Sequence, residues 1–250
     1  MQRSSFLNNI PPVTRNIIIV CVIVWLAGIL VPGFGNTLTR SLGLHYAGAS
    51  DFNPVQIITY IFMHDQHSIV HILFNMFTLW MFGRILEQVW SSRRYMIFFF
   101  VCGIGAALVQ ECVWALSWEN EYIGGIARLN GLTLDSMRSA VAANSGYFAE
   151  GMEMFKNSMV TVGASGAIFG LLLGFAFVFP DLPMYLFFIP IPIKAKYMVI
   201  GYAVLEFFLG MNGLQLSVAH FAHLGGMLFA LPILLYWRHK GTLRGPNYFM

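Results

Sequence analysis

The amino-acid sequence predicts an all-α polytopic membrane protein, a bundle of six transmembrane helices. Of its 250 residues, 58% are hydrophobic and only 10% are charged, whereas soluble domains carry about 25% charged residues. The mean hydropathy is correspondingly high, at +0.69. A helix needs roughly 17–25 apolar residues to cross a bilayer. Six segments of this kind are predicted, at residues 16–32, 67–87, 94–116, 163–180, 195–211 and 217–237.

The distribution of positive charge predicts how the bundle is oriented. Lys and Arg are enriched in cytoplasmic loops. With the N-terminus inside, 10 of the 14 Lys and Arg residues fall on the cytoplasmic side, and only Arg40, Arg128, Arg138 and Lys156 fall outside. Six spans then place both termini in the cytoplasm. A polar cytoplasmic tail, 1–15, precedes the first span, which we expect to remain uncleaved because "LAGILVPGFG" is a poor cleavage site.

The chain 1–250 is interpreted as a single membrane domain with two long outer connections. The outer loop 33–66 contains "DFNPVQIITYIFMH", a mildly amphipathic stretch expected at the membrane interface. The outer insert 117–162 is polar and holds five of the 11 acidic residues. The inner connection 181–194 contains three prolines, which exclude a regular helix, so we expect a packed or interfacial loop there.

Composition also argues against several classes of protein. A net charge of +3 with no run of Lys or Arg does not favour nucleic-acid binding. Cys21, Cys102 and Cys112 are too few and too scattered for a disulfide framework or a zinc site. The many Phe and Met residues are typical of core and lipid-facing positions. We therefore expect the lipid bilayer as a partner, and neither a cofactor nor a metal.

Polar side chains within a bilayer are costly, so they usually face the bundle interior and serve a function. The second predicted span, "HSIVHILFNMFTLWMFGRILE", places His67, His71 and Asn75 four residues apart, on one face of a helix. Ser165 begins the fourth span. The predicted topology puts these side chains at a similar depth, a short way below the outer surface.

The sixth span contributes a further pair of polar residues at this depth, His220 and His223, three residues apart. Independent polar substitutions would not be expected to share one level. For Ser165 alone, a helix-packing or N-cap role is the more common explanation. The presence of several histidines at the same depth favours a chemical role for Ser165 instead.

Small residues indicate how these groups meet. Gly166, Gly170 and Gly174 recur every four residues along the fourth span, and Gly226 and Ala230 do so along the sixth. Such small-residue stripes let helices approach closely. If the two stripes face each other, the serine and the histidine just outward of them come within hydrogen-bond reach. That contact pairs a weak hydroxyl nucleophile with the base that activates it.

Three motifs carry a resemblance to a known family. "HILFN" (71–75) is similar to an HxxxN motif, "GASG" (163–166) to GxSG, and "AHLGG" (222–226) to AHxxG. Together, in this order and on these spans, they resemble the rhomboid family of intramembrane serine proteases. The resemblance covers about 67–237 and, with the first span, essentially the whole chain.

A fourth stretch extends the resemblance. "GRILE", with Gly83 and Glu87, is similar to the acidic segment that ends the second span of the family. We expect Glu87 to cap structure near the inner surface, with Arg84 or Arg93 as candidate partners. Six spans and a short N-terminal tail favour a bacterial inner membrane.

The resemblance implies both a reaction and the residues that perform it. Ser165 would be the nucleophile and His223 the general base, a catalytic dyad without an acidic third member. His71 and Asn75 would donate to the oxyanion, together with the backbone N–H of Ser165. The implied reaction is hydrolysis of peptide bonds in or near transmembrane segments of protein substrates, through an acyl-enzyme. The residues that would support this site are Gly163, Gly166, Phe169 and Gly226.

The sequence departs from the family pattern at several places. Ala230 stands where the last motif has a glycine, and Phe169 stands where some members carry a tyrosine beside the histidine. The insert 117–162 is longer than expected. The role of His220, one turn outward of the matched histidine, is open. None of these differences removes a group assigned to catalysis.

Other functions are compatible with parts of the pattern. His67 with His71, and His220 with His223, have the spacing of metal ligands, although no HExxH motif is present. Membrane histidines with Glu206 would suit a proton-coupled transporter, but a lone acid is weak evidence and no repeated halves are visible. A non-catalytic binder of transmembrane segments would share the fold without the chemistry.

Overall fold

The computed structural model describes residues 10–186, 189–212 and 219–243, and the described part is mostly helical. In chain order the helices and strands are α1 (Pro12–Leu30), α2 (Phe34–Leu42), β1 (Leu44–His45), α3 (Gln56–Thr59), α4 (Ile69–Thr78), α5 (Arg84–Trp90), α6 (Ser92–Leu129), α7 (Leu134–Ala143), α8 (Ser145–Ser158), β2 (Val160–Thr161), α9 (Ser165–Val178), β3 (Pro183–Leu186), β4 (Ile189–Lys194), α10 (Ala195–Met211) and α11 (His220–His239).

A helix lies in each of the six segments predicted to span the membrane. Within the described residues, four helices are long and apolar enough to cross a bilayer: α1, the continuous helix formed by α4 and α5, α6, and α11. Helices α9 and α10 are shorter, with 14 and 17 residues. The count of six spans therefore stays a prediction. The sixth predicted segment, 217–237, begins at residues that the structure does not describe, since 213–218 lie outside the described residues.

The outer faces of these helices are apolar, as a lipid environment requires. Large hydrophobic side chains are exposed along α1, α4, α10 and α11, and they include Ile23, Ile69, Ile200, Phe208 and Leu228. In water an apolar surface of this extent would drive aggregation. The pattern is that of helices surrounded by hydrocarbon.

The polar outer insert 117–162 is helical. Helix α6 continues to Leu129, and α7 and α8 fold back beside it. Ile123 and Ala127 are one turn apart on α6, and they pack with Met137 and Val141 of α7 in a small separate core. This i, i+4 spacing of apolar residues lets the long helix extend beyond the span.

The inner connection 181–194 contains two antiparallel strands, β3 and β4, instead of only a loop. Pro183 pairs with Lys194, and Met184 with Ile193. The prolines do exclude a helix, as predicted. They are compatible with strands here because each strand of a two-stranded sheet has a free edge, where a missing N–H costs nothing.

The core is centred on α9, which packs with α6 and α11. Fully buried aromatic side chains fill the space towards the inner end, among them Trp90, Phe98 and Phe175. At that end Glu87 caps α1, since it accepts hydrogen bonds from the Val13 and Thr14 amides at 2.9 and 2.7 Å. The predicted capping role of Glu87 is confirmed, with a helix terminus rather than an arginine as its partner.

Candidate active site

Ser165 is the first residue of α9, where the backbone N–H groups have no partner within the helix. The preceding Gly163 has φ of +127°, a conformation that side chains disfavour. Its amide donates to the carbonyl of Tyr60 at 3.0 Å. A Cβ on Gly163 would lie 3.0 Å from Nε2 of His71. Glycine therefore lets the chain turn sharply into α9 directly beside His71.

His223 lies in the first turn of α11 and faces the serine. Its Nε2 is 2.8 Å from Oγ of Ser165, so the predicted approach of these two residues is confirmed. The ring of Phe169 stacks on the imidazole, with the ring centres 4.3 Å apart and the planes within 6°. His223 is buried, and this stacking fixes the plane in which its nitrogens lie.

Glycines permit the close approach of α9 and α11. A Cβ on Gly226 would lie only 1.8 Å from the carbonyl oxygen of Gly166. One on Gly170 would lie 3.1 Å from the carbonyl oxygen of Gly226 and 2.5 Å from Sγ of Cys102 in α6. Gly174, by contrast, faces Trp90. The predicted stripe is thus divided, and only its outer two glycines meet α11.

His71 is held so that its Nε2 is the hydrogen-bond donor. The Asp65 amide donates to Nδ1 of His71 at 3.4 Å, which leaves the ring hydrogen on Nε2, next to Gly163. Ser68 caps α4 and accepts from the His71 amide at 3.3 Å. Nδ2 of Asn75 donates one hydrogen bond to the carbonyl of His71 at 2.8 Å. An amide nitrogen has a second hydrogen, which remains for a ligand.

The predicted residues open onto one cleft. Ser165, His223, His71 and Asn75 all line a cavity of about 810 Å³, which also reaches His67. Strand β2, just before Gly163, forms part of its wall through Val160 and Thr161. A nucleophile, a base and several donors therefore surround a space large enough for a peptide segment.

The Rhomboid domain family model matches residues 51–239 of the chain. The chain belongs to the rhomboid family. Its relatives include the proteins named Rhomboid protease GlpG from Salmonella choleraesuis (strain SC-B67), at 28% identity over 181 residues, and from Salmonella typhi, at 27% over the same length. The alignments cover 68% of this chain and 63% of each relative, so the chain spans less than two thirds of their length.

Membership in the rhomboid family, together with the apolar helices, makes the chain an integral multi-pass membrane protein. The matched region contains most of the cleft lining and all the site residues predicted from the sequence. It also includes the helical insert 117–162, which packs beside the outer part of α6.

One residue of this rhomboid site was not assigned to it by the sequence analysis. Oε2 of Glu206, on α10, lies 3.0 Å from Nδ1 of His223 and 2.7 Å from Nδ1 of His220. The expected dyad has no acidic member, yet here a carboxylate contacts the imidazole that contacts the serine. The order of the helices could have predicted this contact, because α10 and α11 are consecutive in the chain. Glu206 near the end of one helix and His223 near the start of the next are at matching depth.

The same three side chains are candidate metal ligands. The donor atoms of Glu206, His220 and His223 lie within 4.8 Å of one another. Two imidazoles and a carboxylate are a donor set that zinc accepts. The expectation that the protein uses no metal stays a prediction, which chelation tests.

Proposed function

We propose that this rhomboid is an intramembrane serine endopeptidase that uses Ser165 as nucleophile and His223 as general base. The observation that carries the proposal is the 2.8 Å contact between Oγ of Ser165 and Nε2 of His223. A serine hydroxyl needs an adjacent base in order to attack a carbonyl group. The names of the GlpG relatives support the same reaction class.

Hydrolysis would proceed in two halves. Oγ of Ser165 attacks the carbonyl carbon of the scissile peptide while Nε2 of His223 takes its proton. The tetrahedral intermediate then collapses, the C–N bond breaks, and His223 returns the proton to the leaving amine. Water, deprotonated by His223, finally attacks the acyl-enzyme ester and releases the acid product.

The negative oxygen of the tetrahedral intermediate needs donors aimed at it. Nε2–H of His71 supplies one, because Nδ1 of this ring is occupied by the Asp65 amide. The backbone N–H of Ser165 supplies another from the first turn of α9, where the positive end of the helix dipole also favours an anion. Asn75 supplies a third through its second amide hydrogen.

The substrates that we infer are transmembrane proteins, cut in or near a membrane-spanning segment. The cleft lies among helices with apolar outer faces, so a substrate helix can approach through the bilayer. We further infer a six-span bundle formed by the chain 1–250 as one domain. Both termini would lie in the cytoplasm, in a bacterial inner membrane.

Labelling with a fluorophosphonate probe tests this function, because such probes react only with activated serines. The purified protein in detergent should be labelled, Ser165→Ala should not, and Ser139→Ala, an exposed serine on α7, should be labelled like wild type. Ser165→Ala and His223→Ala should also lose cleavage of a model transmembrane substrate. Asn75→Ala should slow cleavage by about 100- to 1,000-fold, as loss of one oxyanion donor does.

Persistence of labelling in Ser165→Ala would show that the nucleophile is assigned wrongly. Absence of both labelling and cleavage in a folded wild-type protein would favour a rhomboid that binds transmembrane segments without cutting them. Loss of cleavage on chelation, restored by zinc, would favour a metalloenzyme.

A further inference from the structure

Glu206 is a largely buried acid in an apolar helix, and its carboxylate is directed at two histidines. Its side chain is 12% exposed, and those of His220 and His223 are 5% and 10% exposed. A carboxylate in such surroundings is costly unless it is hydrogen-bonded. Here both imidazoles reach the same oxygen, Oε2, at 2.7 and 3.0 Å.

The contact determines which nitrogen of His223 carries the hydrogen. An ionised carboxylate only accepts hydrogen bonds, so Nδ1 of His223 must donate to Glu206. Nε2 then holds the lone pair and can accept the proton of Ser165, at 2.8 Å. The opposite tautomer would present an N–H to the serine and could not act as a base.

Glu206 also compensates the charge that the reaction creates. When His223 takes the proton from Ser165 it becomes an imidazolium inside a largely buried site. A carboxylate 3.0 Å away stabilises that cation, and the stabilisation is stronger in surroundings of low polarity than in water. His220, on the other side, holds the carboxylate in place with a second hydrogen bond.

We propose that Glu206 is a positioning residue for His223, so that the serine–histidine pair works with an acidic third member supplied by α10. The proposal rests on the proposed function, because it concerns the same base. It also makes catalysis depend on where α10 lies, since Glu206 is at hydrogen-bond distance only while α10 is packed against α11. The role left open for His220 becomes that of a support for the carboxylate.

The experiment compares Glu206→Gln with wild type in steady-state cleavage of a transmembrane substrate. Glutamine keeps the size of the side chain but removes the charge, and its NH2 group can stabilise the wrong tautomer of His223. In a serine protease triad the corresponding change lowers kcat by about 10,000-fold. We expect kcat to fall by about 100-fold or more and KM to stay unchanged within error. Loss of substrate binding would raise KM instead, and loss of folded protein is detected separately by thermal unfolding.

A second variant and two controls keep the result interpretable. Glu206→Asp retains the charge on a side chain one methylene shorter, and its kcat should lie between those of wild type and Glu206→Gln. Val204→Ala changes the exposed face of α10 and should behave as wild type. Thermal unfolding of each variant identifies a protein that is not folded. If Glu206→Gln does not fold, the kcat of Glu206→Asp tests the role of the carboxylate instead.

Several results would overturn the proposal. Glu206→Gln with wild-type kcat would remove any role for the carboxylate in catalysis. A higher kcat in Glu206→Gln would mean that the residue only ties α10 in a closed position. If a chelator abolished cleavage and zinc restored it, the cluster of Glu206, His220 and His223 would be a metal site instead. Labelling that persists in Ser165→Ala overturns the proposed function itself, whereas an active Glu206→Gln beside an unlabelled Ser165→Ala overturns only the role of Glu206.

Discussion

Gly226→Ala tests whether α9 and α11 meet as closely as the site requires. The added Cβ would lie 1.8 Å from the carbonyl oxygen of Gly166, and side-chain Cβ atoms essentially never approach another atom closer than 3.0 Å. The obstacle is backbone within a helix and cannot rotate away, so the helices must separate by about 1.2 Å. If this movement lies along the line between Ser165 and His223, their 2.8 Å contact opens to about 4.0 Å, beyond hydrogen-bond range.

The expected result is a loss of activity together with a smaller loss of stability. A displacement of about 1 Å in a reacting group costs about 100-fold in rate, and overpacking costs about 1–3 kcal/mol of unfolding free energy. Fluorophosphonate labelling rate measures the first, and thermal unfolding in detergent measures the second. Gly201→Ala is the matched control, since nothing lies within 4 Å of its added Cβ. Wild-type labelling and melting in Gly226→Ala would refute the contact between the two helices.

Two predictions concern parts of the fold away from the cleft. Glu87→Ala should lower the unfolding free energy by about 2–4 kcal/mol, because it leaves the Val13 and Thr14 amides without their charged acceptor; thermal unfolding measures this, and the exposed Glu150→Ala is the control. Hydrogen bonds from Ser50 hold the pKa of Glu153 below its ordinary value of 4.5. The hydrogen bond by which Glu153 ties the insert to Ser50 of the outer loop is therefore complete above pH 4.5 and lost as the pH falls through the lowered pKa. Limited proteolysis of the insert should increase in acid, and in Glu153→Gln it should already be increased at neutral pH.

The parts of the site that sequence could predict are those encoded by spacing along one helix. His71 and Asn75 share a face because they are four residues apart, and Gly166 and Gly170 mark a close approach for the same reason. Predicting the contact between Ser165 and His223 also required the inference that their two helices cross the membrane in the same direction. The distances in the structure agree with that inference.

The parts that sequence reasoning missed depend on packing between elements. Which face of α10 turns towards α11 cannot be read from α10 alone, so Glu206 appeared to be a solitary acid. The three prolines of 181–194 exclude a helix equally well in a loop and in a two-stranded sheet, and only the pairing of β3 with β4 distinguishes the two. In the insert, the polar composition concealed the apolar spacing that extends α6.

The helix termini explain why so many polar groups can gather at one depth. His71, Ser165 and His223 each lie in the first turn of a helix, and all three side chains line the same cleft. Three helix N-termini thus direct partial positive charge towards one space. This arrangement favours a transient oxyanion, but it disfavours the imidazolium that the proposed reaction would form on His223 in the same step. A single negative charge beside that ring offsets the penalty, and among the described residues Glu206 is the carboxylate in contact with His223. In the proposed reaction the cation and the anion would therefore have separate partners, from α10 on one side and from α4 and α9 on the other.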